Sequence, residues 1–235
     1  MLYAFIRRFI AGPLVRRVWR VRLVGDVSAL KQGPAVLASN HHGIAETIML
    51  AVLAPRHLTF AAKIELFQGR SLWGRFGAWF LRAIGQAPMD RSGGQASANG
   101  LGAVETVLGA GGLVAIFPEG KRSPDGRLYR GHSGVARLAL SEAVPVVPVG
   151  CRGTDFRAAG WFRSVRRRAP EIAVGPPISF PAALRQAYLD APDRQAAHAV
   201  LRGATDQVMA AIQSLTGQEY VNAYSAQAKA LGPVG

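Results

Sequence analysis

The sequence is poor in cysteine and has no long uninterrupted apolar run. Cys151 is the single cysteine among 235 residues, so no disulfide can form within the chain, and a reducing compartment suits it. The apolar runs are shorter than the roughly 20 residues that a membrane-spanning helix requires. None of them has the length and the small-residue cleavage site of a secretory signal. We therefore expect neither a spanning helix nor a secretory signal.

Acidic residues are also scarce. The chain has 14 Asp and Glu against 28 Lys and Arg, which gives a formal net charge of +14. Such a charge favours polyanionic partners: nucleic acid, an anionic membrane surface or an acidic carrier protein. The basic segments carry no nucleic-acid-binding motif and no interleaved aromatic residues, so nucleic acid is not expected as a partner.

The first 15 residues combine an apolar stripe with positive charge. Arg7 and Arg8 lie opposite the stripe on a helical projection, and the first acidic residue is Asp26. The stripe has the i, i+3, i+4, i+7, i+8 spacing of an amphipathic helix and consists of Leu2, Phe5, Ile6, Phe9 and Ile10. Residues 1–15 are expected to lie in the interface of an anionic membrane. The alternative is a first helix that packs its stripe on the core and leaves a basic edge in water.

The remaining residues, 16–235, contain no repeat and no linker rich in Pro, Gly or Ser, which predicts one domain. Short apolar strands alternate with helices, which predicts an α/β fold with a mostly parallel central sheet flanked by helices. The predicted strands are 16–24, 34–39, 57–63, 86–90, 112–120, 144–150 and 171–175; the predicted helices are 46–54, 71–85, 95–110, 133–143 and 193–216. Three polar clusters lie at the ends of predicted strands: NHHG, DRSGG and PEGKRS. They are expected to converge on one crevice.

The predicted helix 71–85 carries a second apolar stripe, made of Leu72, Trp73, Phe76, Trp79 and Phe80. Two interpretations remain open for it. The stripe lines a tunnel for a long apolar chain or dips into a bilayer, or it belongs to an ordinary buried helix.

A histidine and a carboxylate near the end of the second predicted strand form the candidate reactive pair. His41 and Glu46 are five residues apart, so they do not share a face of one helix. A turn at Gly43 would let them meet. The carboxylate would then fix the imidazole tautomer, and the free nitrogen could take a proton from an attacking hydroxyl. The alternative is a pair of polar residues that merely satisfy a turn.

Four ordered segments carry a resemblance to a known family. They read NHHGIAE, GQAPMDR, FPEGKRS and VPVVPV. They resemble the four motifs of the glycerolipid acyltransferases, the lysophosphatidic acid acyltransferase family. The resemblance covers roughly residues 16–180, and its most specific part is FPEGKRSPDGRLYRGHSGVARLA.

The resemblance implies a glycerol-3-phosphate acyltransferase-like fold and an O-acyltransferase activity. The acyl group would pass from acyl-ACP or acyl-CoA to the hydroxyl of a lysophospholipid. The leading acceptor is 1-acylglycerol 3-phosphate, which gives phosphatidic acid. Alternatives are another lysolipid, such as lyso-ornithine lipid, or a non-catalytic lipid-binding relative. No metal and no cofactor is expected, and the protein is expected at the cytoplasmic face of the cell membrane, peripheral or monotopic.

The resemblance also assigns roles. His41 matches the general base, and Glu46 stands at the position of the family's orienting aspartate. The residues implied in substrate binding are Lys63 and Arg91 for the acceptor phosphate, Glu119, Gly120 and Arg122 around the acceptor, and Pro148 for the acyl donor. Three departures from the family pattern leave the identity of the acceptor open: Glu46 for aspartate, Gly43 for serine and Lys121 for threonine.

Overall fold

The computed structural model describes residues 2–63, 68, 71–83, 85–89, 102–154 and 169–228. The strands in this part of the chain are β1 Arg22–Gly25, β2 Ala35–Ser39, β3 Leu58–Lys63, β4 Gln86–Met89, β5 Leu113–Ile116, β6 Leu128–Tyr129, β7 Val146–Arg152, β8 Glu171–Val174 and β9 Tyr220–Val221. The central sheet has the order β1-β8-β7-β2-β5-β3-β4, and β6 pairs separately with β9. Among the described pairs in the central sheet, β7 with β8 is antiparallel and the others are parallel.

Helices cover both faces of the sheet. The described helices are α1 Leu2–Phe5, α2 Ala45–Leu53, α3 Leu72–Ala83, α4 Gly102–Gly109, α5 Gly134–Ser141, α6 Ala182–Leu189, α7 Arg194–Thr216 and α8 Ser225–Ala228, with a 3₁₀ turn at Ser28–Leu30. Because side chains alternate along a strand, β2 contributes to two separate cores. Ala35 and Leu37 pack with α2 on one face. Val36 and Ala38 pack with α4, α5 and α7 on the other. The predicted α/β fold with a mostly parallel sheet is confirmed.

The predicted strand 16–24 is wrong over most of its length. Residues Leu14–Val18 are helical, and β1 begins only at Arg22. Val15 and Trp19 are fully buried in the core beside α2. Their spacing of four residues suits one side of a helix, whereas the alternation of apolar residues after Trp19 suggested a strand. Leu23 belongs to an edge strand and remains largely exposed.

The N-terminal helical segment (residues 2–18) is wound more widely than an α-helix. After α1, residues Ile6–Ala11 and Leu14–Val18 form π-helical turns, in which the N–H of one residue bonds to the carbonyl five residues earlier. Such turns are rare, and they change which residues share a face. Phe5, Phe9 and Ile10 are more than half exposed. The predicted alternative, in which the whole stripe packs on the core, is therefore wrong for these three residues.

A basic residue of this segment faces the protein instead. Arg7 donates hydrogen bonds to the carbonyls of Val52 and Ala54 at the end of α2. The Tyr3 hydroxyl donates to Ala51 O over 3.2 Å. The carbonyls at a helix C-terminus have no partner within the helix, so these donors satisfy them and fix the segment against α2.

Helix α3 presents its apolar stripe to solvent. Leu72 and Trp73 are 82% and 83% exposed, and Phe76 and Trp79 are each more than half exposed. An ordinary buried helix would cover these side chains, so that interpretation is wrong for the four described residues of the stripe. Within the described residues, no helix combines the length and the apolar character that crossing a membrane requires.

Helix α7 approaches β7 closely, and this contact brings the chain after α7 to the end of the sheet. A Cβ added at Gly150 of β7 would lie 2.7 Å from Leu215 Cβ and 3.1 Å from Thr216 Cγ2. Glycine at this position therefore allows the last turn of α7 to rest on the strand.

We predict that Gly150→Ala lowers the free energy of unfolding by about 1–3 kcal/mol, because the new methyl group overpacks the contact with α7. The matched control is Gly203→Ala in the exposed middle of α7, where an added Cβ meets nothing within 4 Å. That change is expected to raise the free energy of unfolding by about 0.5–1 kcal/mol. Urea unfolding of the three proteins measures both effects. Equal stability of wild type and Gly150→Ala would contradict the close contact.

Candidate active site

The polar clusters after β2, β5 and β7 lie together because these three strands are adjacent and parallel. The carboxyl ends of parallel strands meet at one edge of the sheet, which is where such folds place their ligands. The predicted convergence of the segments after β2 and β5 is thus visible in the structure. The remaining predicted cluster, DRSGG at residues 90–94, lies outside the described residues.

Asn40 joins the ends of β2 and β7. Its Oδ1 accepts from the Cys151 N–H over 2.7 Å, and its Nδ2 donates to the Cys151 carbonyl over 2.9 Å. The side-chain amide thus binds the main chain of Cys151 in place of a further residue of β2. The chain can therefore leave the sheet after Ser39. Burial raises the pKa of the Cys151 thiol far above its usual range, so this cysteine stays protonated and acts as a core residue.

Glu46 lies in the first turn of α2 and is completely buried. Its carboxylate accepts from the main-chain N–H groups of His42, at 2.6 Å, and of Gly43, at 2.9 Å. The Thr154 hydroxyl donates to it over 3.1 Å. Burial raises the pKa of Glu46, and the hydrogen bonds from these donors oppose that rise. The carboxylate therefore holds the turn between β2 and α2 in place.

His42 is buried and engaged at both ring nitrogens. Its Nε2 lies 2.9 Å from Gln218 Nε2, and its Nδ1 lies 3.2 Å from Thr154 Oγ1. Gln218 Nε2 can only donate, so His42 Nε2 accepts and the Nδ1 nitrogen carries the proton. Each group then donates to the next, from Gln218 through His42 and Thr154 to Glu46. The hydrogen bonds assign His42 as a neutral imidazole with a structural role.

His41 is held by the loop that follows β5. Its main-chain N–H donates to Glu119 Oε1 over 3.0 Å, and its carbonyl accepts from the Ser123 N–H over 2.7 Å. Its ring stacks on Phe117 with centroids 4.0 Å apart and planes 14° apart. The residue as a whole is partly exposed. Orientation of the His41 ring by Glu46 stays a prediction.

The buried Glu119 side chain connects two segments of the chain. Its second carboxylate oxygen accepts from the Tyr129 N–H in β6 over 3.0 Å, so one carboxylate ties the β2 end to β6. Burial raises the pKa of Glu119 to about 7, and the charges of Glu46 and Asp125 add to the rise. Both oxygens serve main-chain groups of the protein, and a direct contact with the acceptor stays a prediction.

Gly120 has a positive φ of 71°, and an added Cβ would lie 2.9 Å from His132 Cδ2. Both facts restrict this position to glycine. The next two residues, Lys121 and Arg122, are exposed on the loop that binds His41. The loop that binds His41 therefore carries two exposed positive charges.

The other predicted residues are more distant or lie outside the described part. Pro148 is buried within β7, in register with Ala38 of β2, so it belongs to the sheet interior. The backbone of Lys63 ends β3 beside Met89 of β4. The side chain of Lys63 and the whole of Arg91 lie outside the described residues. In the described ranges, no three His, Cys, Asp or Glu side chains are grouped as metal ligands.

The sequence pattern missed three members of the site: His42 as a structural residue, Thr154 and Gln218. Thr154 follows β7 and contacts a residue 108 positions earlier. Gln218 follows Gly217, which ends α7 in a left-handed conformation. Gly217 could have indicated the end of the helix, but nothing local indicates where the following glutamine points.

The buried Glu119 predicts a specific pH dependence of stability. Its pKa in the folded protein, about 7, exceeds its ordinary value of 4.5. Between these values the folded chain holds a proton that the unfolded chain releases. The free energy of unfolding should therefore fall as pH rises through this window, by up to about 3 kcal/mol. Glu119→Gln should remove this slope and should be less stable at all pH values, because its amide NH₂ faces a main-chain N–H. Urea unfolding across the window measures both.

The control for this prediction is Glu219→Gln, which changes an exposed carboxylate. Its stability profile should follow that of wild type. A Glu119→Gln profile parallel to wild type would show that Glu119 does not titrate as its burial requires.

A second prediction concerns Gln218. Gln218→Ala removes the donor to His42 Nε2 and an acceptor for Asn40. The free energy of unfolding should fall by about 1–3 kcal/mol, because buried polar groups lose their partners. Ring ¹⁵N chemical shifts report which nitrogen of His42 carries the proton, and in wild type they should show a protonated Nδ1 and an unprotonated Nε2. Gln218→Ala should change these shifts, whereas Gln207→Ala, an exposed change on α7, should leave them unchanged. A protonated Nε2 in wild type would rule out the assigned tautomer.

Comparisons with known proteins agree with this geometry. A chloroplastic 1-acyl-sn-glycerol-3-phosphate acyltransferase of Brassica napus is 30% identical over 121 residues, which are 52% of this chain and 33% of that protein. A 1-acyl-sn-glycerol-3-phosphate acyltransferase of Pseudomonas aeruginosa is 27% identical over 155 residues, which are 62% of this chain and 58% of that protein. The matches thus cover less than two thirds of either relative.

A solved structure shares the fold. The crystal structure of the 1-acyl-sn-glycerophosphate (LPA) acyltransferase PlsC of Thermotoga maritima superposes with a TM-score of 0.53 and 19% identity, covering 87% of this chain and 81% of that one. The predicted likeness in fold is confirmed. The sequence profile of the family described as Acyltransferase matches residues 20–152, more than half of the chain. The chain therefore belongs to the acyltransferase family.

Proposed function

We propose that the protein transfers a fatty acyl group from acyl-ACP or acyl-CoA to the hydroxyl of 1-acylglycerol 3-phosphate, which gives phosphatidic acid. The family supports an acyltransferase, and the names of the relatives support this acceptor. The observation that carries the proposal is the placement of His41. The loop containing Glu119 and Ser123 binds its main chain on both sides and leaves the residue partly exposed.

Of the two adjacent histidines, the geometry favours His41 as the general base. Both nitrogens of His42 are occupied by neighbouring side chains, and its ring is buried. A base must reach the hydroxyl that it deprotonates, and His41, which is partly exposed, is better placed for this than the buried His42. The stacked Phe117 ring restricts the orientation of that imidazole.

The proposed reaction needs no covalent enzyme intermediate. His41 takes the proton of the acceptor hydroxyl as the hydroxyl oxygen attacks the thioester carbonyl carbon. The resulting tetrahedral adduct collapses, the carbon–sulfur bond breaks, and the leaving thiolate recovers the proton. Backbone N–H groups at the strand ends are suitable donors to the oxyanion.

Cations around the site suit an acceptor that carries a phosphate. Lys121 and Arg122 are exposed on the loop that binds His41, and a guanidinium can bind two phosphate oxygens at once. Lys63 and Arg91 are proposed to contact the same phosphate. Lys63 ends β3 at the edge of the sheet to which the site belongs.

We also propose a location at the cytoplasmic face of the membrane, peripheral or monotopic, where a lysolipid acceptor resides. Phe5, Phe9 and Ile10 project from the N-terminal helical segment, and the stripe Leu72–Trp79 projects from α3. Exposed apolar patches of this kind mark membrane or protein contacts, and the net charge of +14 favours an anionic surface.

The test compares wild type with His41→Ala, using a labelled acyl thioester and a panel of lysolipids that includes 1-acylglycerol 3-phosphate and lyso-ornithine lipid. Loss of a general base should lower kcat by about 10²–10⁴-fold. Mass spectrometry of the products identifies the acceptor. His198→Ala, an exposed change on α7, should retain full activity. Undiminished turnover in His41→Ala would end the assignment of the base, and no turnover in wild type with any acceptor would favour a non-catalytic lipid-binding protein.

A further inference from the structure

A groove of about 720 Å³ lies between the N-terminal helical segment and the end of α2. Arginines dominate its lining, which includes Arg7, Arg8, Arg16 and Arg17 together with Tyr3 and His57. A volume of this size accommodates a small organic ligand.

The groove is separate from the candidate active site. Glu46 lies in the first turn of α2, whereas the groove reaches Val52 near the other end of that helix. Residues six apart on an α-helix are about 9 Å apart along its axis. His57 precedes β3, so the groove lies toward the amino ends of the strands. A ligand bound here would not occupy the site of the acceptor phosphate.

The positive charge of the groove is not neutralised from within. In the described ranges, no ion pair involves any of the four lining arginines, and the sequence has no acidic residue before Asp26. Arg7 is fixed by its hydrogen bonds to the carbonyls of α2, while Arg16 and Arg17 are exposed. Four like charges around one concave surface repel each other, and an anion that enters the groove relieves that repulsion.

An apolar surface adjoins the cations. Phe9 belongs both to the lining of the groove and to the exposed patch with Phe5 and Ile10. The Arg8 guanidinium carbon lies 5.8 Å from the centroid of the Phe9 ring. A ligand that fits this arrangement has an anionic head and an apolar body side by side.

We propose that this groove binds the phosphate-bearing headgroup of an anionic phospholipid, with the acyl chains lying along Phe5, Phe9 and Ile10. The site is a discrete headgroup site, additional to the acyl-transfer site and independent of acyl transfer. In a diffuse charge attraction only the number of basic residues matters. In the proposed site the positions of the arginines matter as well. It also differs from a site for free phosphate, which would make no use of the apolar patch.

The experiment compares two double variants of the full chain that remove the same charge. Arg16→Gln with Arg17→Gln changes the groove, and these two side chains make no hydrogen bond to any residue in the described part of the chain. Lys31→Gln with Arg194→Gln changes exposed residues outside the groove. Binding to phosphatidylcholine vesicles that contain phosphatidylglycerol is measured by sedimentation. An arginine near an anionic surface strengthens binding about fivefold. We expect the groove variant to lose about 25-fold in partition coefficient and the control to lose less than about twofold. Equal losses in the two variants would overturn the proposal in favour of diffuse attraction.

A second arm distinguishes the source of the phosphate. Soluble short-chain phosphatidylglycerol and inorganic phosphate are each titrated while the arginine side-chain NMR signals are followed. The proposal requires the lipid to shift signals that are absent from the groove variant, and inorganic phosphate to bind much more weakly. Equal affinity for inorganic phosphate would replace the lipid with a free-phosphate site and overturn it. Because neither arm measures turnover, a failure of the proposed acyl transfer would leave this comparison intact.

Discussion

The candidate site depends on one buried carboxylate that bridges two main-chain N–H groups. Glu119 accepts from His41 at the end of β2 and from Tyr129 in β6. Burying a carboxylate is unfavourable, and charge-assisted hydrogen bonds to both oxygens offset that cost. The position of the His41 ring relative to the sheet follows from this bridge and from the Ser123 N–H that binds the opposite side of the same residue.

The two adjacent histidines show how neighbouring residues of the same type take different roles. The side chain of His42 is turned inward, where Thr154 and Gln218 occupy its nitrogens and Glu46 terminates the chain of hydrogen bonds. His41 is held through its main chain and by stacking on Phe117. A group that exchanges protons should not be one that the fold requires in a single protonation state. In the proposed reaction, His42 therefore has the positioning role and His41 transfers the proton.

Part of the fold and of the candidate site could be predicted from local sequence patterns and from the rules of sheet topology. Apolar runs indicated the buried strands. Because the carboxyl ends of parallel strands lie at one edge of the sheet, the sequence also predicted that the segments of His41 and Glu119 lie close together. Thr154 and Gln218 were not predictable, because their partners lie more than 100 positions away and depend on how α7 rests on Gly150.

The predictions that failed at the N-terminus have a common cause, which is the assumption of regular helix and strand geometry there. Alternation after Trp19 suggested a strand, but the buried partner of Trp19 is Val15, four residues earlier on a helix. Likewise, a stripe spaced for 3.6 residues per turn does not remain a stripe when the hydrogen bonds reach back five residues. Phe5, Phe9 and Ile10 then project outward while Arg7 turns toward α2.

Helix α2 connects the two surfaces on which the proposals rest. Its first turn contains Glu46, which holds the turn beside His41 and His42, and its last carbonyls bind Arg7 of the N-terminal helical segment. A nine-residue α-helix is about 13 Å long and does not bend easily. If the exposed aromatic residues of the N-terminal helical segment enter the headgroup region of a bilayer, α2 sets a fixed distance between that surface and the candidate base. The proposed lysolipid acceptor must rise about that distance to bring its hydroxyl to His41. In 1-acylglycerol 3-phosphate this hydroxyl is on the carbon next to the one that bears the acyl ester, so the first part of the acyl chain has to leave the bilayer with it.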